Sequence, residues 1–270
     1  MLLRQSRSQP GFLCICDITI TKVKILCYYC SKTFYGRKKM ATVLVTGANR
    51  GLGLEFCKQY AAEGWRVLAC CRMPQAASEL TTLAERYPQV SVFALDVADF
   101  GQVEALAEQL RDTSIDVLIN NAGVYGDGQG RGFGQLDYQS WTKTLAVNVQ
   151  APVKIAEEFL PHLKRGDKKL LVAISSLMGS MADNSSGGSV IYRSSKAALN
   201  AAMKTIAIDL KEQAVGVLIF HPGWVKTDMG GASAPLEATQ SVAGMRQTIF
   251  AFSLEQSGSF VKYDGTPLPW

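Results

Sequence analysis

The sequence predicts a single doubly wound α/β domain: a seven-stranded, mostly parallel sheet with helices on both faces. Three observations predict it. Short apolar runs alternate with longer stretches of helical period, the pattern of right-handed β-α-β crossovers. The first run turns through glycines straight into a helix. At 270 residues the chain suits one such domain, because sheets covered on both faces can exceed ~200 residues as one unit.

Residues 1–39 precede the first strand and show no sustained helical or strand period. No apolar run there reaches the ~18–20 residues of a membrane span, since Phe12–Ile20 is broken by Asp17 and followed by Lys22 and Lys24. As a secretory signal the stretch lacks a clean cleavage site, and as a transit peptide it is basic and acid-poor but weakly amphipathic. Cys14 and Cys16, one residue apart, are too close for an ordinary zinc knuckle with Cys27 and Cys30. Met40 stands immediately before the first core strand. Met40 is therefore expected to be the functional start, with 1–39 an N-terminal extension and 40–270 the domain.

The formal charge of +5 comes from that extension. It holds eight of the 28 basic residues and one of the 23 acidic ones, which leaves 20 against 22 in 40–270. The composition of a domain this close to neutrality gives no support for a nucleic-acid surface. Cys57, Cys70 and Cys71 lie in or near elements of core character, and no disulfide framework is apparent. A reducing compartment, the cytoplasm, is the expectation.

Thr42–Gly53 reads TVLVTGANRGLG. Val43–Val45 form the strand, and Leu52–Ala62 carry the helix. Gly47, Gly51 and Gly53 permit a tight turn, backbone unobstructed by Cβ, and close approach of helix to strand. First-turn N–H groups backed by the helix dipole suit a diphosphate. A glycine-rich connection with no ligand would look similar in isolation, so the rest of the chain has to supply context.

The second strand, Trp65–Cys71, ends without the acid that would accept from an adenosine ribose; Cys71 is followed by Arg72. Arg72 and Arg50, with no carboxylate beside them, predict pairing with a 2′-phosphate, hence NADP(H) over NAD(H). A helix over Gln75–Arg86 leads to the strand Val90–Leu95, after which Asp96 stands ready for the adenine amino group or for helix capping, where Asp99 is better placed. Val103, Leu106, Ala107 and Leu110 give Gln102–Arg111 a core face. The strand Ile115–Ile119 then runs into Asn120-Asn121-Ala122-Gly123.

TGANRGLG, the acid after the third strand and NNAG, in this order and spacing, resemble the short-chain dehydrogenase/reductase family over essentially all of 40–270. The resemblance implies a Rossmann fold and a nicotinamide cofactor. SSLMGSMADN, YRSSKAALN and the chain's ending resemble the C-factor/sniffer-like subgroup of carbonyl reductases.

Tyr125–Gly134 reads as a flexible loop beside the site, and Asp137 to about Leu163 as one long helix containing Asn148. The strand Lys169–Ile174 ends in Ser175-Ser176, and Gly179–Ser189 is small and polar. Tyr192 and Lys196 follow at i and i+4, on one helix face. A free phenol near pKa ~10 needs about 4 kcal/mol to act near pH 7, and an ammonium ~4 Å away at effective dielectric ~20 supplies about that. The spacing alone is not diagnostic, because Tyr28/Lys32 and Tyr35/Lys39 share it.

By resemblance, Ser176 binds the substrate oxygen, with Ser175 as an alternative. Tyr192 is the general acid in carbonyl reduction or the base in alcohol oxidation. Lys196 holds the nicotinamide ribose and lowers the Tyr192 pKa, and Asn148 keeps a relay water. Cofactor contacts are implied at Gly47, Asn49, Arg50, Gly51, Leu52, Gly53, Arg72, Asp96, Val97, Asn120, Ala122 and Gly123. On the nicotinamide side they continue through Tyr192, Lys196, Pro222, Gly223, Val225 and Thr227. The 177–191 stretch is longer than in many relatives, which reshapes the substrate pocket.

The strand Val215–Phe220 precedes His221-Pro222-Gly223. Neither His221 nor His162 sits beside a nucleophile elbow, which disfavours a serine hydrolase, and no ligand cluster suggests a metal. Pro235, with Ser233 as cap, is expected to open a helix, and Ser259–Tyr263 to form the last strand. The expected partner is a small carbonyl or alcohol, with no nucleic acid and no membrane, and a homo-oligomer (dimer or tetramer) is compatible with the resemblance. A non-catalytic NADP(H) sensor on the same fold is the alternative.

Overall fold

Seven strands form one sheet in the computed structural model, which describes residues 40–128 and 132–270. The expectations for 1–39, among them its cysteine pairs and its two Tyr-x3-Lys pairs, lie outside the described residues, as does the middle of the 125–134 loop. The strands are β1 (Thr42–Thr46), β2 (Arg66–Cys71), β3 (Val90–Ala94), β4 (Val117–Asn120), β5 (Leu170–Ile174), β6 (Gly216–His221) and β7 (Ser259–Lys262). Their order is β3-β2-β1-β4-β5-β6-β7, and all six pairings are parallel, where the sequence predicted mostly parallel.

The central strands are continuous apolar runs because both of their faces are covered. Val43 and Val45 of β1 join Val117 and Ile119 of β4 in one core, while Leu44 and Leu118, pointing the other way, join the second. Helices α1 (Gly51–Ala62), α2 (Ser78–Arg86) and α7 (Ala238–Ala251) supply Phe56, Leu80 and Met245 to the first core. The other face is covered by α3 (Phe100–Gln109), α5 (Ala151–Lys164) and α6 (Val190–Asp209), through Val103, Phe159 and Met203. Each fully buried Val, Leu or Phe contributes about 1.5–3 kcal/mol, so these layers outweigh the exposed ion pairs, worth about 0–1 kcal/mol each. Adjacent Cys70 and Cys71 fall in opposite cores, as strand alternation requires. Buried Asp116 accepts from the N–H of Thr42 at 2.7 Å and of Asp167 at 2.7 Å, tying β1 and the turn before β5 to the start of β4.

Three expectations need correction. The long helix is α4 (Tyr138–Leu145), a π turn at Ala146–Gln150, and then α5. Pro152 has no N–H for the Asn148 carbonyl four residues back, so the regular ladder cannot run through this point. The stretch from Gln75 begins as a 3-10 turn at Pro74–Ala76 before α2 starts at Ser78. Pro235 does not open a helix: Leu236 pairs with Val225 in a parallel bridge, and α7 starts at Ala238 behind Glu237. Asp99, by contrast, caps α3 by accepting from Gln102 N–H. Among the described residues no helix is long and apolar enough to cross a membrane.

Candidate active site

Successive crossovers leave β1 and β4 in opposite directions, and a crevice opens there at the carboxyl ends of the strands. It encloses about 510 Å3. Gly47, Asn49, Arg50, Gly51, Leu52, Arg72, Asp96, Val97, Ala122 and Gly123 line it, together with Tyr192, Lys196, Pro222 and Thr227. A surface groove of about 450 Å3 along α2, lined by Lys58, Glu79 and Arg86 among others, contains none of the sequence-predicted residues.

The glycine turn is shaped by its neighbour. Gly47 has φ +65°, and a Cβ there would stand 2.9 Å from Ala122 Cα. Asn121 Nδ2 donates to the carbonyls of Thr46 at 2.9 Å and Gly47 at 3.2 Å. Thr46 Oγ1 in return accepts from the N–H groups of Asn121 and Ala122, both at 3.1 Å. The NNAG segment thus fixes the first turn from the adjacent strand. Behind that turn, α1 has no side-chain cap and no acid in its first turn. Its leading donors and the positive end of its dipole are left for an anion in the crevice.

The arginines differ from expectation in one respect: a carboxylate is present. Asp228 accepts from Arg50 Nη1 at 2.6 Å, both side chains being about 70 % exposed. The pair bridges the crevice from the glycine turn to the segment after β6, where a Cβ on Gly51 would lie 3.4 Å from Thr227 Cγ2. Arg72 is exposed and lines the crevice. Asp96 closes its own turn by accepting from Ala98 N–H at 3.0 Å.

Four predicted contacts stand elsewhere. The side chain of Asn120 is buried and donates to Pro152 O at 3.1 Å, toward α5 rather than the crevice. A Cβ on Gly53 would meet the Gly47 carbonyl, so this glycine serves close approach of α1 to the turn. Gly223, at φ +87°, makes room for Leu236 and Tyr263. Val225 is buried and takes part in the bridge to Leu236.

Tyr192 and Lys196 lie on the buried stripe of α6, with Leu199, Asn200 and Met203 continuing it. The Tyr192 hydroxyl points at Met229 Sδ, 3.9 Å away. Burial pushes its pKa up to about 12; a hydrogen bond with Ser176 opposes the rise and Tyr125 adds to it. Lys196 does not lower it here. Its ammonium donates to Ile174 O at 2.9 Å and sits 5.7 Å from the Tyr192 ring centroid, and burial brings its own pKa down to about 8. Charge attraction alone would lower the phenol's pKa, but its desolvation is the larger effect. Ser175 lines the crevice, but its hydroxyl donates to Asn200 Oδ1 at 2.5 Å; Ser176 stands outside the lining, its hydroxyl accepting from Met178 N–H at 3.1 Å and opposing the rise of the Tyr192 pKa.

Asn148, in the π turn, is fully buried and does not line the crevice. Its amide bonds both backbone groups of Val124, at 2.9 and 2.8 Å, and Ser195 Oγ at 3.0 Å. Gly123 fits between Asn148 and Lys196: a Cβ there would be 3.3 Å from Asn148 Oδ1 and 3.5 Å from Lys196 Nζ. Burial drives His221 down to about 4, so its ring is neutral at pH 7. Among the described residues no group of three His, Cys, Asp or Glu could hold a metal ion.

A family model described as short chain dehydrogenase matches residues 41–237. The chain belongs to the short-chain dehydrogenase family. Among relatives of this dehydrogenase, C-signal of Myxococcus xanthus is 40% identical over 168 residues, 62% of this chain and 100% of that protein. Two solved structures superimpose with a TM-score of 0.79. The carbonyl reductase Sniffer of D. melanogaster is 35% identical, with 86% of this chain and 100% of that one covered. An NADPH-bound carbonyl reductase from chicken fatty liver is 32% identical, with 86% and 99% covered. The C-signal and Sniffer matches agree with the C-factor/sniffer-like resemblance of SSLMGSMADN and YRSSKAALN.

Sequence reasoning missed several residues of this dehydrogenase's crevice: Asn121, Asp228 and Met229, and outside its lining Tyr125 and Asp127. Asn121 directly follows the predicted Asn120, and only strand parity separates the two. Asp127 carried a signal, a lone acid in a glycine-dense loop.

Proposed function

We propose that this chain transfers a hydride between NADP(H) and a carbonyl or alcohol substrate, with Tyr192 as the general acid in reduction and the base in oxidation. One observation carries the reading: the acid–base pair of α6 and the uncapped start of α1 line the same crevice. The residues present fit such a cofactor, because a Cβ at Gly47 would fill the space against Ala122 and no side chain occupies the anion seat at α1. Gly47, Asn49, Gly51 and Leu52 would hold the diphosphate, and Asp96 and Val97 the adenine side. Arg72 would hold the 2′-phosphate, joined by Arg50 if it parts from Asp228. When bound, NADP(H) supplies or accepts the hydride.

The chain's own residues handle the proton. With a pKa near 12, the Tyr192 phenol keeps its proton at pH 7 and can give it to a carbonyl oxygen; the base role in oxidation needs the phenolate, so it requires a positive charge brought near the phenol or a higher pH. Ser176, whose hydroxyl favours the ionised form of that phenol, would share the same oxygen. Lys196 would meet the ribose and resupply the proton, with Asn148 and Gly123 shaping the space for a relay water. Free, buried Cys57, Cys70 and Cys71 support a reducing compartment such as the cytoplasm, and dimer or tetramer formation is part of the same proposal.

A panel of aldehydes, ketones and quinones with NADPH absorbance as readout tests the reading. Carbonyl-dependent loss of NADPH, with NADH markedly poorer, is the expected result. NADPH that binds but is never consumed would favour the sensor.

A further inference from the structure

The loop leaving NNAG is tied down residue by residue. Asn148 holds Val124 from both sides. The Tyr125 hydroxyl shares a 2.6 Å hydrogen bond with Ser189 Oγ, and its ring lies 4.8 Å from that of Tyr192. Ser140 Oγ donates to Gly126 O at 2.7 Å. Gly126 has φ +81°, and any Cβ there would strike Thr144 and Ile191. The flexible loop expected from the sequence is, over 124–127, a brace against α4 and α6.

Asp127 ends this run at the start of α6. A helix is normally capped by the residue before it, acting from extended backbone on the N–H groups of its second and third residues. Ser189 cannot do this: its backbone is left-handed (φ 46°, ψ 49°), and it makes no side-chain cap bond. Asp127 does so from outside the helix. Its Oδ1 accepts from Ile191 N–H at 3.2 Å and its Oδ2 from Tyr192 N–H at 2.8 Å. A carboxylate also suits the positive end of a helix of 20 residues. One of the two donors belongs to Tyr192, so a side chain 65 residues away fixes the backbone from which the phenol projects.

We propose that Asp127 is a positioning residue for Tyr192: by capping α6 in place of Ser189 it sets where the phenol meets the substrate. The proposal rests on Tyr192 being the acid–base residue. A cap that only stabilised the fold would affect cofactor binding and turnover alike, whereas a positioning cap affects turnover alone.

The test compares Asp127→Ala, Asp127→Asn and Asp127→Glu in the full chain. The measurements are NADPH Kd, kcat and KM for one carbonyl substrate, and amide hydrogen exchange. Asp127→Ala is expected to lose at least tenfold in kcat with NADPH Kd within twofold, and to exchange faster at the Ile191 and Tyr192 amides but not in α1. Asp127→Asn keeps one acceptor oxygen for the two N–H groups and sets an NH2 against the other, so its kcat is expected to fall between those of Asp127→Ala and the unsubstituted chain. Asp127→Glu keeps the charge and moves the carboxylate by one methylene; it is expected to keep its NADPH Kd within twofold and to lose at least threefold in kcat. Full kcat in Asp127→Ala or Asp127→Glu, or equal losses of kcat and NADPH affinity, would overturn the proposal. So would Asp127→Asn being as slow as Asp127→Ala. If Tyr192→Phe is as fast as the unsubstituted chain, the functional reading falls and takes this proposal with it. If Tyr192→Phe is dead while Asp127→Ala is fully active, only this proposal falls.

Discussion

Lys196 is the most costly side chain in the crevice. It is 4% exposed, makes one hydrogen bond, and burial lowers its pKa from 10.5 to about 8. Holding it protonated at pH 7 costs roughly 3 kcal/mol. Below pH 8 both folded and unfolded chains carry the proton, and the cost is fully present. Between about 8 and 10.5 the unfolded chain binds more protons, so the stability of the unsubstituted chain rises with pH. Lys196→Met should therefore be more stable by about 1–3 kcal/mol at pH 7, after allowance for the lost bond to Ile174, by denaturant unfolding without cofactor. The gain should shrink as pH passes from 8 toward 10.5. A Lys196→Met chain less stable at pH 7 would contradict this account. Arg50 offers a second test. An exposed ion pair is worth about 0–1 kcal/mol, so Asp228→Asn should free Arg50 and tighten NADPH up to about fivefold, with NADH unchanged. Arg72→Ala should weaken NADPH much more than NADH; equal losses would remove the 2′-phosphate from its partners.

Elements were legible where one physical cause dominates. Buried parallel strands are apolar on both faces, so β1, β4 and β5 stand out in the sequence, and Asp99 marks the start of α3. Less legible were places where distant residues compete with local pattern. Leu236 goes to a bridge with Val225, so the proline before it does not start a helix. The π turn at Ala146–Gln150 keeps helical periodicity on both sides and so hides within a helical pattern. The glycine turn was readable because its demand is steric. Gly47→Ala should lose NADPH affinity and about 1–3 kcal/mol of stability, from a left-handed backbone and a Cβ pressed on Ala122. Calorimetry and cofactor titration would check both, and an Ala variant with intact affinity would mean the turn yields.

In the molecule as a whole, the sheet's topology brings residues from NNAG, α6 and the segment after β6 into one crevice at the β1/β4 divergence. Family motifs gave most of that assembly, because glycines, Tyr192 and Lys196 are constrained one by one. The Asp228 bridge and the Asp127 cap were not readable, because each joins segments far apart in the chain and uses residue types common in any loop. NADP⁺ at 100 times its Kd should stabilise the folded chain by about 2.7 kcal/mol against thermal unfolding, and NAD⁺ at that concentration by much less.

The proton donor is the centre of this account, and Tyr192→Phe removes one oxygen from it while leaving the ring against Tyr125. The measurement is carbonyl-dependent NADPH consumption by Tyr192→Phe, with NADPH affinity titrated on the same sample. Affinity within about twofold of the unsubstituted chain and turnover lower by about 10²–10⁴-fold are expected. A phenylalanine variant that turns over at the original rate would contradict it.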